Sequence, residues 1–124
     1  MQFAQVVFRT AGICGVLAIL PCYFIEKQIG QYIPPPITHP EFYYALLGIV
    51  LAWQILFLII SRNPARYVAI IPAACVEKFS YAILAMIMFA QSRLSLNMFV
   101  IGLADLIFGI LFLICFLKLR KEIS

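Results

Sequence analysis

The stretch PAACVEKFSYAILAMI, residues 72 to 87, sets an ionisable pair, Glu77 and Lys78, inside a run otherwise suited to lipid. The fold depends on which solvent surrounds that run. Hydrophobic residues make up 65% of the 124-residue chain and charged residues 11%, with a mean hydropathy of +1.07. An ordinary soluble domain carries about a quarter charged residues, so this composition points to an integral membrane protein. Each transmembrane helix needs about 20 apolar residues. The chain therefore has length for three or four spans and none for a separate soluble domain.

Four apolar runs, at about 3–25, 42–61, 66–90 and 97–117, are each long enough to cross a hydrocarbon layer of about 30 Å. They predict an all-α protein, a single domain over residues 1–124 forming a four-helix antiparallel bundle. The first connection, EKQIGQYIPPPITHPE, holds three consecutive prolines and is expected to be extended. The second run then restarts with Thr38 or His39 as cap, Pro40 in the first turn, and Glu41 where the helix dipole favours an anion. SRNPARY repeats the pattern with Asn63 and Pro64, and Ser95 or Asn97 offers the fourth start. Pro72, inside the third run, is expected to free the Val68 carbonyl and kink the helix.

Basic residues set the expected orientation. With both termini on one face, that face collects Arg9, Arg62, Arg66, Lys118, Arg120 and Lys121, while the other keeps Lys27 and Arg93. The positive-inside rule then places both termini in the cytoplasm. PCYFIEK offers no small-x-small cleavage site, so the first run reads as a span and not as a signal peptide. Short connections fit a bacterial inner membrane. The excess of basic residues suits contact with anionic lipid headgroups. It does not suggest nucleic-acid binding, which would call for a basic stripe with interleaved aromatics in a soluble segment.

Depth along the helices brings the ionisable residues to a common level. Glu77 lies about twelve residues into the third span, roughly 18 Å from the inner boundary, and Asp105 on the fourth span is equally deep. Gln54 and Arg9 fall lower, roughly 10 Å in, with Arg9 long enough to reach upward. An ionised group at mid-membrane costs on the order of 3 kcal/mol, so pairing is close to obligatory. Adjacent residues point about 100° apart, which suggests Glu77 with Arg9 and Lys78 with Asp105. Tyr81, one turn after Glu77, is placed to hydrogen-bond its carboxylate. Trp53, near mid-span, lines a pocket or fills the bundle centre. The expected ligand-binding or charge network is thus Arg9, Trp53, Gln54, Glu77, Lys78, Tyr81 and Asp105.

The remaining motifs point less specifically. Tyr32, His39, Glu41, Phe42, Tyr43 and Tyr44 form an outer-face group that suits the interfacial aromatic belt. His39 and Glu41 are secondary site candidates there, but acid–base catalysis needs a third positioned group. No catalytic residue is assigned. Cys14, Cys22, Cys75 and Cys115 lie inside the runs without a CxxC pair or a nearby histidine, so neither metal nor dithiol chemistry is expected, and no cofactor is implied. The small-xxx-small pairs Ala11/Gly15 and Gly48/Ala52 permit close helix approach within the bundle or in a homodimer.

FRTAGICGVLAILP at residues 8–21, followed by three further spans in about 120 residues, resembles the small four-helix membrane proteins of the DoxX-like group. HPEFYYALLGIVLAWQ, SRNPARY and VEKFSY are similar to bacterial families of the same architecture. The resemblance implies a four-helix antiparallel bundle. DoxX-type members are associated with membrane redox complexes, but no residue set here matches a quinone or metal site. The layout is also similar, more distantly, to the EXPERA fold, whose intramembrane acids bind sterol-like amines. Small multidrug transporters resemble the chain in size, yet they carry their essential glutamate in the first helix, where this sequence has none.

Intramembrane ionisable residues commonly mark a ligand site, a substrate path or a proton relay. The first expectation is a membrane protein whose buried polar site binds a lipid-like or isoprenoid-like ligand, or that serves as a subunit of a membrane complex. The alternative is a proton-coupled transporter or channel in which Glu77 and Asp105 change protonation. The partners expected are membrane lipid, a hydrophobic small molecule, and either a second copy of the chain or the other subunits of a membrane complex.

Overall fold

The computed structural model describes residues 2–32 and 38–123, and the proline run 34–36 lies outside them. In order, the elements are α1 (Gln2–Ile19) extended by a 3-10 turn (Leu20–Tyr23), α2 (Glu26–Tyr32), α3 (Pro40–Arg62), a 3-10 turn (Val68–Ile70), α4 (Ile71–Ala90) and α5 (Leu96–Ile123). The described residues contain no strand. Four segments are long and apolar enough to cross a membrane: Gln2–Tyr23, Pro40–Arg62, Val68–Ala90 and Leu96–Glu122. They match the four apolar runs of the sequence. The short α2, in what was expected to be open connection, was not anticipated.

The surface supports the membrane assignment. No span buries more than 33% of its apolar window inside the protein, and Val6, Leu17, Ile49, Val76 and Ile107 are all exposed. Such a surface suits lipid and would drive association in water.

Inside, three phenylalanines from three helices form the centre. Phe8 of α1 stacks on Phe112 of α5 with ring centroids 4.3 Å apart, and Phe57 of α3 meets Phe112 edge-on at 4.9 Å. Ile60, Ile71, Ala74, Cys75, Cys115 and Leu119 close around them. The cysteines of this core are free thiols acting as small apolar residues.

Helix pairs pack closely where side chains are small. α1 lies along α3 and α4 along α5, with a lesser contact between α1 and α5. α3 and α4 are consecutive, yet among the described residues their backbones do not run in close approach. At Gly102 an added Cβ would come within 2.6 Å of the Ala85 Cβ, an atom fixed to its backbone. Gly12 and Gly15 likewise lie against Leu58 and Gln54 of α3. Gly48 and Ala52 do not pack in this way within the bundle: both are exposed, and a Cβ at Gly48 would meet only the Tyr23 hydroxyl, 3.9 Å away.

The helix starts follow the local sequence only in part: α3 begins at Pro40 as expected, but no side chain caps it, and α4 begins at Ile71 and not at Asn63–Pro64, since Asn63 ends α3. Pro40 opens α3 behind His39, whose side chain makes no capping bond. Asn63 accepts a hydrogen bond at Oδ1 from the Arg66 N–H (3.3 Å), and Ser95 accepts one at Oγ from the Met98 N–H (3.4 Å). Pro72, however, does not kink a helix. It occupies the first turn of α4, where a missing N–H breaks no helical bond, and the Val68 carbonyl accepts from the Ile71 N–H. The periodic hydrophobicity of residues 66–71 hid a turn and a 3-10 segment inside an apparently continuous run.

α4 ends in a Schellman motif. Ser92 adopts φ 58°, its N–H reaches the Phe89 carbonyl (3.0 Å) and the Arg93 N–H reaches the Met88 carbonyl (2.8 Å). A left-handed non-glycine residue costs about 1–2 kcal/mol. Ser92→Gly should therefore stabilise the protein by about 1 kcal/mol in a thermal unfolding measurement in detergent. Gly102→Ala should destabilise it by about 1–3 kcal/mol, with Gly48→Ala close to neutral as the internal control.

Candidate functional site

The buried stripe of α4 runs through Ile71, Ala74, Cys75, Lys78, Ala82 and Ala85. These positions follow the three- and four-residue spacing of one helix face, so helical geometry carries Lys78 inward, to 6% exposure. The small neighbours Ala74, Cys75 and Ala82 leave room for its four-carbon stem.

The ammonium meets two carboxylates and two rings. Lys78 Nζ donates to Asp105 Oδ1 at 3.4 Å and lies 3.8 Å from Glu77 Oε2. It also lies 5.2 Å from the Phe57 ring centre and 5.7 Å from that of Phe108, within cation–π range. Asp105 and Glu77 are themselves largely covered, their side chains 21% and 17% exposed. Two carboxylates against one ammonium leave a formal charge of −1. Because Asp105 takes the shorter contact, Glu77 is the carboxylate less fully matched. Its Oε2 is buried and accepts no hydrogen bond from any described residue.

Gln54 supplies a second unmatched acceptor. It is 2% exposed, and its Nε2 donates to the Val50 carbonyl at 3.1 Å, while Oε1 is buried without a hydrogen bond. The amide lies against Gly15 of α1, in space that a Cβ there would occupy.

The network expected from the sequence is brought together in part. Glu77, Lys78 and Asp105 converge, but Arg9 does not join them: it is exposed, and no ion pair among the described residues includes it. Phe8, Ala11 and Gly12 hold the inward face of α1, and Arg9, about 100° round from Phe8, points away. The predicted Glu77–Arg9 pair is therefore replaced by Glu77–Lys78. The flexible lysine stem lets neighbours that start on different faces meet. Tyr81 does not bond the carboxylate either. Its hydroxyl donates to the Met98 carbonyl of α5 at 3.2 Å, and Ser80 Oγ donates to the Glu77 backbone carbonyl.

Trp53 is half-buried, 6.3 Å from Phe57. It also lines a shallow apolar depression of about 300 Å³ with Ala52, Ile55, Leu56 and Ile59, all on α3. The outer-face pair His39 and Glu41 is in contact, Nδ1 to Oε1 at 3.2 Å, with both side chains largely exposed and the Phe42 ring beside the imidazole. Glu26 sits apart from them, accepting from the Tyr44 hydroxyl, and Tyr43 donates to the Cys22 carbonyl. Among the described residues, no third polar group is placed on His39. Among the described residues, no group of three His, Cys, Asp or Glu side chains is placed to hold a metal ion.

Phe57 and Phe108 are site residues that sequence reading passed over. Both stand three residues after a polar position, Gln54 and Asp105, and so share its helix face. In a chain with 11 phenylalanines that signal is faint.

The charge balance orders the variants. Lys78→Met leaves two facing carboxylates and should cost about 3–5 kcal/mol. Asp105→Asn keeps one ion pair and should cost about 1–3 kcal/mol. Glu77→Gln removes the surplus charge and should be near neutral. Replacing all three by neutral residues should recover most of the Lys78→Met loss. Denaturation in detergent checks the order, and an equal loss for Glu77→Gln and Lys78→Met would contradict it.

Comparison with protein-family models, with curated proteins and with solved structures returns no match, so the functional reading rests on this geometry and not on kinship.

Proposed function

We propose that the chain is a small integral membrane protein in which Glu77, Lys78, Asp105 and Gln54 form a ligand site, binding the polar head of a lipid-like molecule. The observation that carries this reading is that two buried side-chain acceptors, Glu77 Oε2 and Gln54 Oε1, have no hydrogen bond among the described residues, the first of them in a triad whose formal charge is −1. Polar contacts between membrane helices contribute about 0.6–2 kcal/mol each, whereas each intramembrane charge costs about 3 kcal/mol. A cluster that only joined helices would do so at a net loss.

The bundle is read as antiparallel with both termini cytoplasmic, in a bacterial inner membrane. Contact order supports the first part: Gly12 meets Leu58 while Tyr23 meets Tyr44, and Phe79 meets Gly109 while Phe89 meets Phe99. The distribution of basic residues supports the second. Kinship with the DoxX-like group is proposed on layout alone. The surplus carboxylate also favours a second reading, in which a proton neutralises the cluster during coupled transport.

Purified wild-type protein should retain a lipid species that mass spectrometry finds depleted in Glu77→Gln. Equal lipid content would count against the ligand site. Glu77-dependent proton flux into vesicles in that case would favour the transport reading. A fluorescent protein fused after Ser124 should fold and emit, as it does on the cytoplasmic side, and a dark fusion at normal expression would reverse the orientation.

A further inference from the structure

We propose that the outward face of α1, a surface apart from the Glu77 cluster, binds an anionic phospholipid, with Arg9 as the group that takes its phosphate. Arg9 stands about 10 Å along the first span from Gln2. It is exposed on the outside of the bundle, and no ion pair among the described residues includes it. A guanidinium cannot shed its charge in a protein, so a change of protonation offers no escape. Facing acyl chains, it has to reach an anion or water at the membrane surface.

The face around Arg9 selects the anion. Gln5 and Gln2 stand four and seven residues before it, the spacing of one helical face, with Gln2 exposed and Gln5 half-buried. In the other direction the same face carries Ile13 and Leu17, both exposed. It is therefore polar from Arg9 to the start of the helix and apolar beyond. Helical side chains lean toward the N-terminus, so Arg9 leans along the polar stretch toward the membrane surface. The Lys118 ammonium, 4.8 Å from the Phe3 ring centre, adds a second positive charge at that end. A phospholipid has the same order of polarity: a phosphate at the surface and acyl chains running inward along Ile13 and Leu17. The planar guanidinium donates to two phosphate oxygens at once, and the glutamine amides offer further donors.

A protein occupant fits this face less well. Val6, Ile13 and Leu17 project beside Arg9, and large side chains keep a neighbouring backbone from the close approach that membrane helices favour. A second copy related by a two-fold axis along the membrane normal would set Arg9 against its own equivalent at the same depth. Among lipids, a zwitterionic headgroup supplies its phosphate with an ammonium of its own, whereas the phosphate of phosphatidylglycerol has none, so the face should prefer the latter.

The full-length protein in uncharged detergent micelles is titrated with dioleoylphosphatidylglycerol or dioleoylphosphatidylcholine, and native mass spectrometry counts the lipids retained. Wild type should bind its first phosphatidylglycerol about tenfold more tightly than phosphatidylcholine. Arg9→Gln should abolish that preference, and Arg9→Lys, which keeps the charge without the fork, should keep part of it. Arg120→Gln removes the same charge from another exposed arginine at the same end and should leave the preference intact. Melting temperatures check that the variants fold.

Equal binding of the two lipids by wild type, a preference that survives Arg9→Gln, or one lost equally in Arg120→Gln would overturn the assignment. So would displacement of the lipid by inorganic phosphate, which would make the site one for phosphate from solution, or a lipid-free dimer that Arg9→Gln dissociates, which would give the face to a protein partner. The wild-type comparison decides the lipid class even if a variant does not fold.

Discussion

An ammonium group in a phenylalanine-lined interior imposes the strongest constraint on this molecule. Lys78 cannot turn to lipid, because its position belongs to the buried stripe of α4, and it cannot be left alone there. Its charge has to be met from α4 itself and from α5. That requirement brings Asp105 to 3.4 Å and gathers Glu77, and the rings of Phe57 and Phe108 complete the enclosure. The tight approach of α4 and α5, made possible where Gly102 faces Ala85 and Gly109 faces Phe79, puts the lysine within reach of the aspartate.

The cluster overshoots its own requirement. One carboxylate suffices to neutralise Lys78, and a second adds a charge whose cost in a membrane exceeds what an extra polar contact returns. That excess is what the proposed ligand site rests on. At the seam between α1 and α3, Gln54 has half its amide satisfied by Val50 and half without a hydrogen bond among the described residues. The outer-face aromatics behave differently. Tyr43 places its hydroxyl on Cys22 and Tyr44 on Glu26, joining α3 to the end of the first span and to α2, an arrangement that fits an interfacial belt.

The sequence revealed depth better than direction. Counting 1.5 Å per residue put Lys78 and Asp105 at one level, and their contact followed. The same count put Arg9 within reach of Glu77, and the contact did not follow, because height along a helix says nothing of the face it leaves from. Only the packing of Phe8 on Phe112 turns Arg9 outward. Tyr81 failed for a related reason. Its one-turn spacing to Glu77 was correct, but a closer acceptor on α5, the Met98 carbonyl, took its hydroxyl. Pro72 was misread because an apolar run can include a turn: the run read from about residue 66 passes through a turn and the 3-10 segment Val68–Ile70 before the α-helix begins at Ile71.

Composition and run length by themselves determined a four-span helical membrane protein and required its intramembrane charges to find partners, since both follow from the free energy of transferring side chains and backbone into hydrocarbon, which depends on residue type and number. Which charges met, which acceptors were left over and which rings closed over Lys78 were decided only by the tertiary structure. Those outcomes depend on the rotation of each helix about its axis and on the close approach that glycines allow, and neither quantity is a property of any single run of sequence.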